Sequence, residues 1–260
     1  MCRGWFKKHE VPMIKTEFRY LGFGKNKYGG GNDLNGCVND VINRSKKLTG
    51  LWNGIDCRAY TDYQVTASNY LSKGAEAISL LDPGATVVVP MDSCFAGTAT
   101  RLSGNPYKNR FIDPKLPYRP IVRTKVFTSD NIMWIAMSGC GEQQTCADAN
   151  INGDYVGAYS FFGDFVMRKG MTYREWHEEI RKRLPNNDFY QIPEIEGPEE
   201  LLNRRLFEGQ TLWIHNSSHG SWTYDKDGDE ADGKDEGFYF DRLLIDDETR
   251  KLLSMIPTYN

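Results

Sequence analysis

Val87-Val88-Val89-Pro90-Met91-Asp92-Ser93-Cys94-Phe95-Ala96-Gly97 is the stretch around which the 260-residue chain is organised. Consecutive β-branched residues suit a strand buried on both faces, and Ala96-Gly97 permits a tight exit from it. Such a strand carries Asp92 and the Cys94 thiol to one edge of a sheet, where open α/β folds keep their chemistry. A cysteine at that position also serves as ordinary packing. A catalytic reading therefore needs a base elsewhere in the chain.

Working outward toward the N-terminus, residues 1 to about 16 read as a loosely held leader, and Phe18–Gly24 as the first strand. Lys25–Asn35 is rich in Gly and Asn. Its Gly29-Gly30-Gly31 lacks a GK[ST] or a GxGxxG opening a helix, so it reads as a flexible surface loop and not a phosphate loop. Val38, Val41, Ile42 and Leu48 recur at helical spacing after Cys37. Arg58–Asp62 is a second strand. Thr66 or Ser68 caps a helix with a Tyr70, Leu71, Ala75, Ile78, Leu81 stripe, which Asp82-Pro83-Gly84 ends. Strands alternating with helices predict an α/β fold: a mainly parallel central sheet with helices on both faces, three layers in all.

On the other side of Cys94, Thr98–Lys125 is basic and aperiodic and reads as a mobile loop. Ile132–Met137 is another buried strand, and Tyr155–Val166 a strand leading into a helix. Thr172 caps a helix through Arg183, Pro185–Phe207 reads as an irregular arm, and Gln210–Ile214 is a last strand ending at His215-Asn216-Ser217-Ser218-His219-Gly220-Ser221. An acidic loop and a helix opened by Asp246-Asp247-Glu248 close the chain.

Composition narrows the function classes. A net charge of −3 with both signs interspersed leaves no footprint for nucleic acid or an anionic membrane. No stretch approaches ~20 consecutive apolar residues, and no apolar signal segment opens the chain, so the expectation is a soluble, cytoplasmic protein. The six cysteines lack CxxC spacing and the density of a disulfide scaffold, and read as reduced thiols.

Two apolar strands thus end in candidate catalytic groups, Cys94 and His219. Neighbouring parallel strands present their C-terminal ends on one edge, where an imidazole can take a proton from a thiol. The small residues beside them leave room for a peptide and free backbone N–H groups for an oxyanion.

These residues resemble the metacaspases, cysteine peptidases of the caspase-like fold. Leu34-Asn35-Gly36-Cys37-Val38-Asn39-Asp40 is similar to the leading-helix motif of that family. Asp92–Gly97 resembles its DSCHSG turn, Ser217–Ser221 its SGHGS loop, and Ser138-Gly139-Cys140 with Gln144–Ala149 its SGC…QTSADA stretch. The resemblance implies one caspase-like peptidase domain over 1–260. Residues 1–90 would form the first part of a large-subunit-like region, 91–210 the nucleophile turn with a small-subunit-like region, and 211–260 the histidine loop with an acidic segment. Cys94 would be the nucleophile, His219 the base and Gly220 an oxyanion donor. Asp40, Asp92, Cys37 and Ser217 would line the pocket for the residue before the cut. Carboxylates there favour an Arg or Lys side chain. The implied partners are protein or peptide substrates carrying those residues; the basic loop Arg101–Lys125 offers several of them close to the nucleophile, so self-cleavage there is a further expectation. The implied cofactor is Ca²⁺, with Asp235, Asp246 and Asp247 at ligand positions and no organic cofactor.

The chain departs from the family in three places. Its histidine segment follows the cysteine segment instead of preceding it, so the connectivity is rearranged as though two adjacent parallel strands had exchanged ends. A monomer is expected, and a strand-exchanged dimer fits the same order. Phe95-Ala96 replaces His-Ser, and the last calcium ligand of the family falls near Arg101.

Other features read more plainly. His215 and His219 are separated by loop residues without an HExxH glutamate, which argues against zinc. His177 reads as part of a solvated helix face, Cys37, Cys140 and Cys146 as packing residues near the site, and Tyr159, Phe161, Phe162 and Phe165 as core. Asp225–Glu236 imitates an EF-hand loop but has Glu230 at its sixth position and no preceding helix. A non-catalytic, calcium-responsive interaction protein is the rival from another class.

Overall fold

Alternation of side chains along the strands decides the layering. A computed structural model of the chain describes residues 12–94, 108–114, 133–141, 144–225 and 233–258. Its central sheet has six strands in the order β2 (Asp56–Thr61), β1 (Phe18–Gly24), β9 (Thr211–Ser217), β3 (Thr86–Asp92), β5 (Ile135–Ser138) and β8 (Glu194–Glu196). The first five run parallel, and β8 closes one edge antiparallel to β5.

Successive strand residues point to opposite faces. Tyr20, Val88, Ile135, Met137 and Trp213 accordingly enter one core with residues of α1 (Cys37–Leu51), α3 (Ala158–Val166) and α4 (Tyr173–Arg181). Their neighbours Leu21, Phe23, Val87, Val89, Leu212 and Ile214 enter a second core with α2 (Ala67–Ile78) and α6 (Asp246–Leu253). Two helical layers around a mainly parallel sheet make a three-layer α/β fold. Smaller sheets, β4-β6-β7 (Lys108–Asn109, Ala147–Ile151, Asp154–Gly157) and β10-β11-β12 (His219–Tyr224, Lys234–Tyr239, Leu243–Ile245), flank the strand ends.

Local signals explain the helix starts. Thr66 accepts from Asn69 N–H at 3.0 Å to begin α2, and Thr172 with Glu175 forms a reciprocal capping box at α4. The start of α1 has no side-chain cap of its own at Gly36; instead Asn26 Oδ1 accepts from Cys37 N–H at 2.9 Å.

Several sequence expectations change here. Lys25–Asn35 is a built loop: Gly29, Gly30 and Gly31 all take positive φ, and Asp33 accepts from Tyr28 and Gly29 N–H, which lowers its carboxyl to about 2. Pro185–Phe207 is not wholly irregular, since it contains β8 and a short helix α5 (Glu199–Leu202). Strand β9 runs on through His215, which is a core residue with Nδ1 2.9 Å from Tyr20 OH. Residues 1–11 of the leader lie outside the described residues, while Met13 is buried and its N–H bonds Glu76. Phe165 is 66% exposed, so it is not core, and His177 is half-buried between Arg174 and Arg181, with its pKa lowered to about 4 mainly by burial. No helix among the described residues is long and apolar enough to cross a membrane.

Candidate active site

Strands β3 and β9 are adjacent, parallel and in register, with Asp92 opposite Ser217. Cys94 and His219 each lie two residues past that pair, so the sheet delivers thiol and imidazole together at one edge, from the same chain. Both are buried.

His219 Nε2 lies 2.7 Å from the carbonyl oxygen of Asn32. A carbonyl only accepts, so Nε2 carries the proton and Nδ1 holds the lone pair. Nδ1 is buried without a hydrogen-bond partner. Burial lowers the pKa of His219, although the Asn32 bond and Cys94 oppose the shift. Tyr28 fixes the backbone here: its ring packs at 4.6 Å on the imidazole and its hydroxyl accepts from His219 N–H at 2.9 Å.

Cys94 is surrounded by donors. Burial alone raises a thiol pKa, but hydrogen bonds from Cys140 and Cys146 and the nearby His219 outweigh it and hold Cys94 well below the ordinary range. Cys146 N–H donates to Cys94 Sγ at 2.6 Å, and the Cys140 and Cys146 sulfurs are 2.8 Å apart. Cys140 and Cys146, read from sequence as packing residues near the site, do pack on Cys94 and also bond its sulfur. Among the described residues, Cys94, Cys140 and Cys146 are the one group of three or more metal-binding side chains whose donor atoms lie within 4.8 Å of one another. Sulfur donors of this kind suit soft metals and not calcium.

The second feature is a buried pocket. Asp92 and Ser217 point to the same face as Val88 and Trp213, toward α1 and α3, by strand alternation. There they meet Asp40 from α1 and Asp148 from β6. Its occupant is Arg110. The Arg110 guanidinium is fully buried, 2.7 Å from Asp40, 3.2 Å from Asp92 and 3.1 Å from Asp148, and donates to Ser217 Oγ at 2.8 Å. Ser217 Oγ in turn donates to Asp40 at 2.7 Å. Burial works against the charge of Arg110, yet Asp92, Asp40 and Asp148 outweigh it and hold the guanidinium protonated. Burial also raises Asp40 to about 6 despite Arg110, and raises Asp92. Cys37 is buried beside them with its thiol pushed up.

Backbone N–H groups hold the carboxylates in place: Gly157 N–H reaches Asp40, Ser160 N–H reaches Asp92, and Asn35 and Gly36 N–H reach Asp148, all at 2.8 to 2.9 Å. A Cβ on Gly157 would sit 2.1 Å from Asp92 Oδ2 and 2.6 Å from Arg110 Nη1, so the pocket wall has no room for a side chain.

The third feature is a pair of converging donors. Cys94 N–H and Gly220 N–H both donate to one oxygen, the carbonyl of Arg110, at 3.2 and 2.9 Å. Two backbone N–H groups on a single carbonyl oxygen form an oxyanion hole in geometry. A Cβ on Gly220 would lie 1.6 Å from the Cys94 carbonyl, which explains the glycine.

The proposed metal residues do not join this site. Asp235 is buried in β11, while Asp246 and Asp247 open α6 and pair with Arg250, Asp247 at 3.7 Å. Among the described residues the three carboxylates form no common group of donor atoms. The EF-hand-like loop joins strands β10 and β11 in an antiparallel pair, not two helices; its residues 226–232 lie outside the described residues, as do Phe95–Gly97 of the nucleophile turn.

Arg110, Asp148, Tyr28 and Asn32 were not singled out from sequence. Asp148 carries a partial signal in Gln144–Ala149, whereas Asn32 acts through its main chain and has none.

No family model matches the sequence, and no curated protein matches it. Among solved structures, the chain is similar to protein GSU0716 from Geobacter sulfurreducens, with a TM-score of 0.50 and 14% sequence identity over 75% of this chain and 99% of that one. That likeness concerns the fold.

Proposed function

We propose that the chain is a metacaspase-like cysteine endopeptidase of caspase-like fold that cuts peptide bonds after Arg or Lys. The observation that carries this reading is the convergence on one residue: the Arg110 carbonyl sits on the N–H groups of Cys94 and Gly220 while its side chain fills the carboxylate pocket. A structural arginine would need the pocket but not the two donors beside a thiol.

The chemistry is acyl transfer. Cys94 Sγ attacks the scissile carbonyl carbon, and the oxygen, now an oxyanion, stays on the two N–H groups. His219 carries the proton through Nδ1 from the thiol to the leaving amine as the C–N bond breaks. Water then attacks the thioester, restoring the thiol and releasing a carboxylate. Asp40, Asp92 and Asp148 favour arginine over lysine, because Nη1 and Nη2 contact different partners and an ammonium offers a single nitrogen. Free thiols at Cys37, Cys57, Cys94, Cys140 and Cys146 are in keeping with a cytoplasmic setting.

A reporter peptide ending in Arg before the leaving group tests the reading. Wild-type protein is expected to turn it over and the Cys94→Ala variant is not; equal turnover by the two would remove the assignment.

A further inference from the structure

We infer that Cys94, Cys140 and Cys146 form a binding site for one soft monovalent cation, Cu⁺, held by their three sulfurs, and that the bound ion reversibly silences the Cys94 thiol. The site stands on the sulfurs alone; only its effect on turnover rests on the peptidase reading above.

The fold brings these thiols together from three places. Cys94 follows β3 and Cys140 follows β5, and the two strands pair in parallel with Met91 opposite Ser138, so both thiols leave the sheet at one edge. Cys146 immediately precedes β6. Gln191 ties Cys140 and Cys146 through their neighbours: its buried amide donates to Gly139 O at 2.8 Å, and its side-chain oxygen accepts from Ala147 N–H at 2.9 Å. Gly139 leaves space for the sulfur, since a Cβ there would stand 3.0 Å from Cys146 Sγ. In the QTSADA stretch that Gln144–Ala149 resembles, the place of Cys146 is held by Ser. The third sulfur is therefore a feature of this chain and not of the motif.

The donor set selects the ion. All three thiols are buried and free of disulfide bonds. Their sulfurs lie within 4.8 Å of one another, and no His, Asp or Glu among the described residues belongs to the group. Sulfur alone does not suit Ca²⁺ or Mg²⁺, which require oxygen. Zinc takes four ligands and finds three here, whereas Cu⁺ is soft and is satisfied by three thiolates in a plane. Metal–sulfur bonds of ~2.3 Å set three such sulfurs ~4 Å apart, so Cys140 and Cys146 Sγ, now 2.8 Å apart, separate by on the order of 1 Å as the ion enters.

The surroundings suit a bound thiolate. Cys146 N–H donates to Cys94 Sγ at 2.6 Å, a bond that a metal-bound sulfur keeps. Cys140 and Cys146 Sγ lie 3.8 and 3.3 Å from the Ser93 carbonyl, and these weak thiol contacts are given up with the protons. Phe111 packs on all three residues and makes the surroundings apolar. Each thiol that binds releases its proton to solvent, the ion stays Cu⁺, and no electron is transferred. The sulfur lone pair that would attack a carbonyl is then held by the ion.

The test titrates the full, reduced chain with Cu⁺ without oxygen, against bicinchoninate as competing chelator, and counts bound copper by native mass spectrometry. One copper per chain is expected, with a near-ultraviolet sulfur-to-copper band. Zn²⁺ is expected to bind at least ~10²-fold more weakly. Cys140→Ser and Cys146→Ser are each expected to weaken Cu⁺ by ~10²-fold or more, while Cys57→Ser, which changes a thiol outside the cluster, leaves it unchanged. Arg-reporter turnover by the wild type is expected to fall in proportion to the copper bound and to return when the chelator removes it. Failure of the reduced wild type to bind copper would overturn the inference, as would wild-type affinity in both cluster variants. Zinc binding as tight as copper would overturn the assignment of the ion, and full turnover with copper bound would overturn its hold on Cys94. Copper bound at these sulfurs by a protein that never cleaves the reporter would remove the peptidase reading and leave the site standing.

Discussion

Two acidic groupings in this chain differ in every physical respect. Asp40, Asp92 and Asp148 come from a helix, a strand end and a second sheet, and meet around one buried guanidinium. Asp246, Asp247 and Glu248 are consecutive, partly exposed, and occupy the first turn of α6, where carboxylates favour the helix N-terminus. Their cations, Arg250 and Arg242, come from the same short segment. In sequence the second grouping has the denser charge, and the family resemblance implies metal-ligand positions at two of its members, Asp246 and Asp247, together with Asp235. In space the first converges on one buried cation from three distant parts of the chain, and the second is a helix start paired with nearby arginines.

The largest expected effect separates chemistry from both groupings. Cys94→Ala is expected to lower turnover of an Arg reporter by at least ~10⁴-fold, measured with active-site titration of the wild type as reference. Next comes the pocket. Asp40→Asn is expected to reduce kcat/KM after Arg by ~10²-fold, since it removes one partner of a buried charge pair, while Asp247→Asn is expected to leave it within about twofold. Equal losses from the two variants would erase the distinction drawn here.

Stability sharpens the same contrast. Replacing Arg110 with Ala in the Cys94→Ala background strands carboxylates in a dry pocket and is expected to cost ~3–5 kcal/mol in urea unfolding. Arg250→Ala, at a partly exposed helix pair, is expected to cost less than ~1 kcal/mol.

The pH dependence follows from Asp40. With its carboxyl raised to about 6 by burial, protonation below that pH removes a negative charge from the pocket and weakens its hold on Arg. Turnover after Arg is therefore expected to fall as pH drops through about 6, in kcat/KM profiles, and Asp40→Asn is expected to flatten that limb.

Much of the fold could be read from the chain because its signals are local. Phe18–Gly24 matches β1, Thr66 caps α2, Thr172 caps α4, and the apolar runs before Cys94 and His219 become neighbouring parallel strands. The thiol, the imidazole and Gly220 N–H were legible for the same reason, each following a strand and flanked by small residues. Arg110 was not. It sits in an aperiodic basic segment where nothing local distinguishes it from Arg101 or Arg119, and its meaning comes only from contacts with residues 18 to 107 positions away. The loop 25–35 was misread as mere surface because three glycines signal freedom, whereas here positive φ at each shapes a turn that brings Tyr28 and Asn32 to His219.

The most direct measurement compares two reporters on the purified protein that differ only in carrying Arg or Asp before the same leaving group. A buried pocket of three carboxylates repels a carboxylate and holds a guanidinium. The expected result is turnover of the Arg peptide by wild type, at least ~10³-fold slower turnover of the Asp peptide, and neither by Cys94→Ala. Comparable rates on the two peptides, or an Arg rate unchanged in Cys94→Ala, would contradict the assignment of this pocket and this thiol.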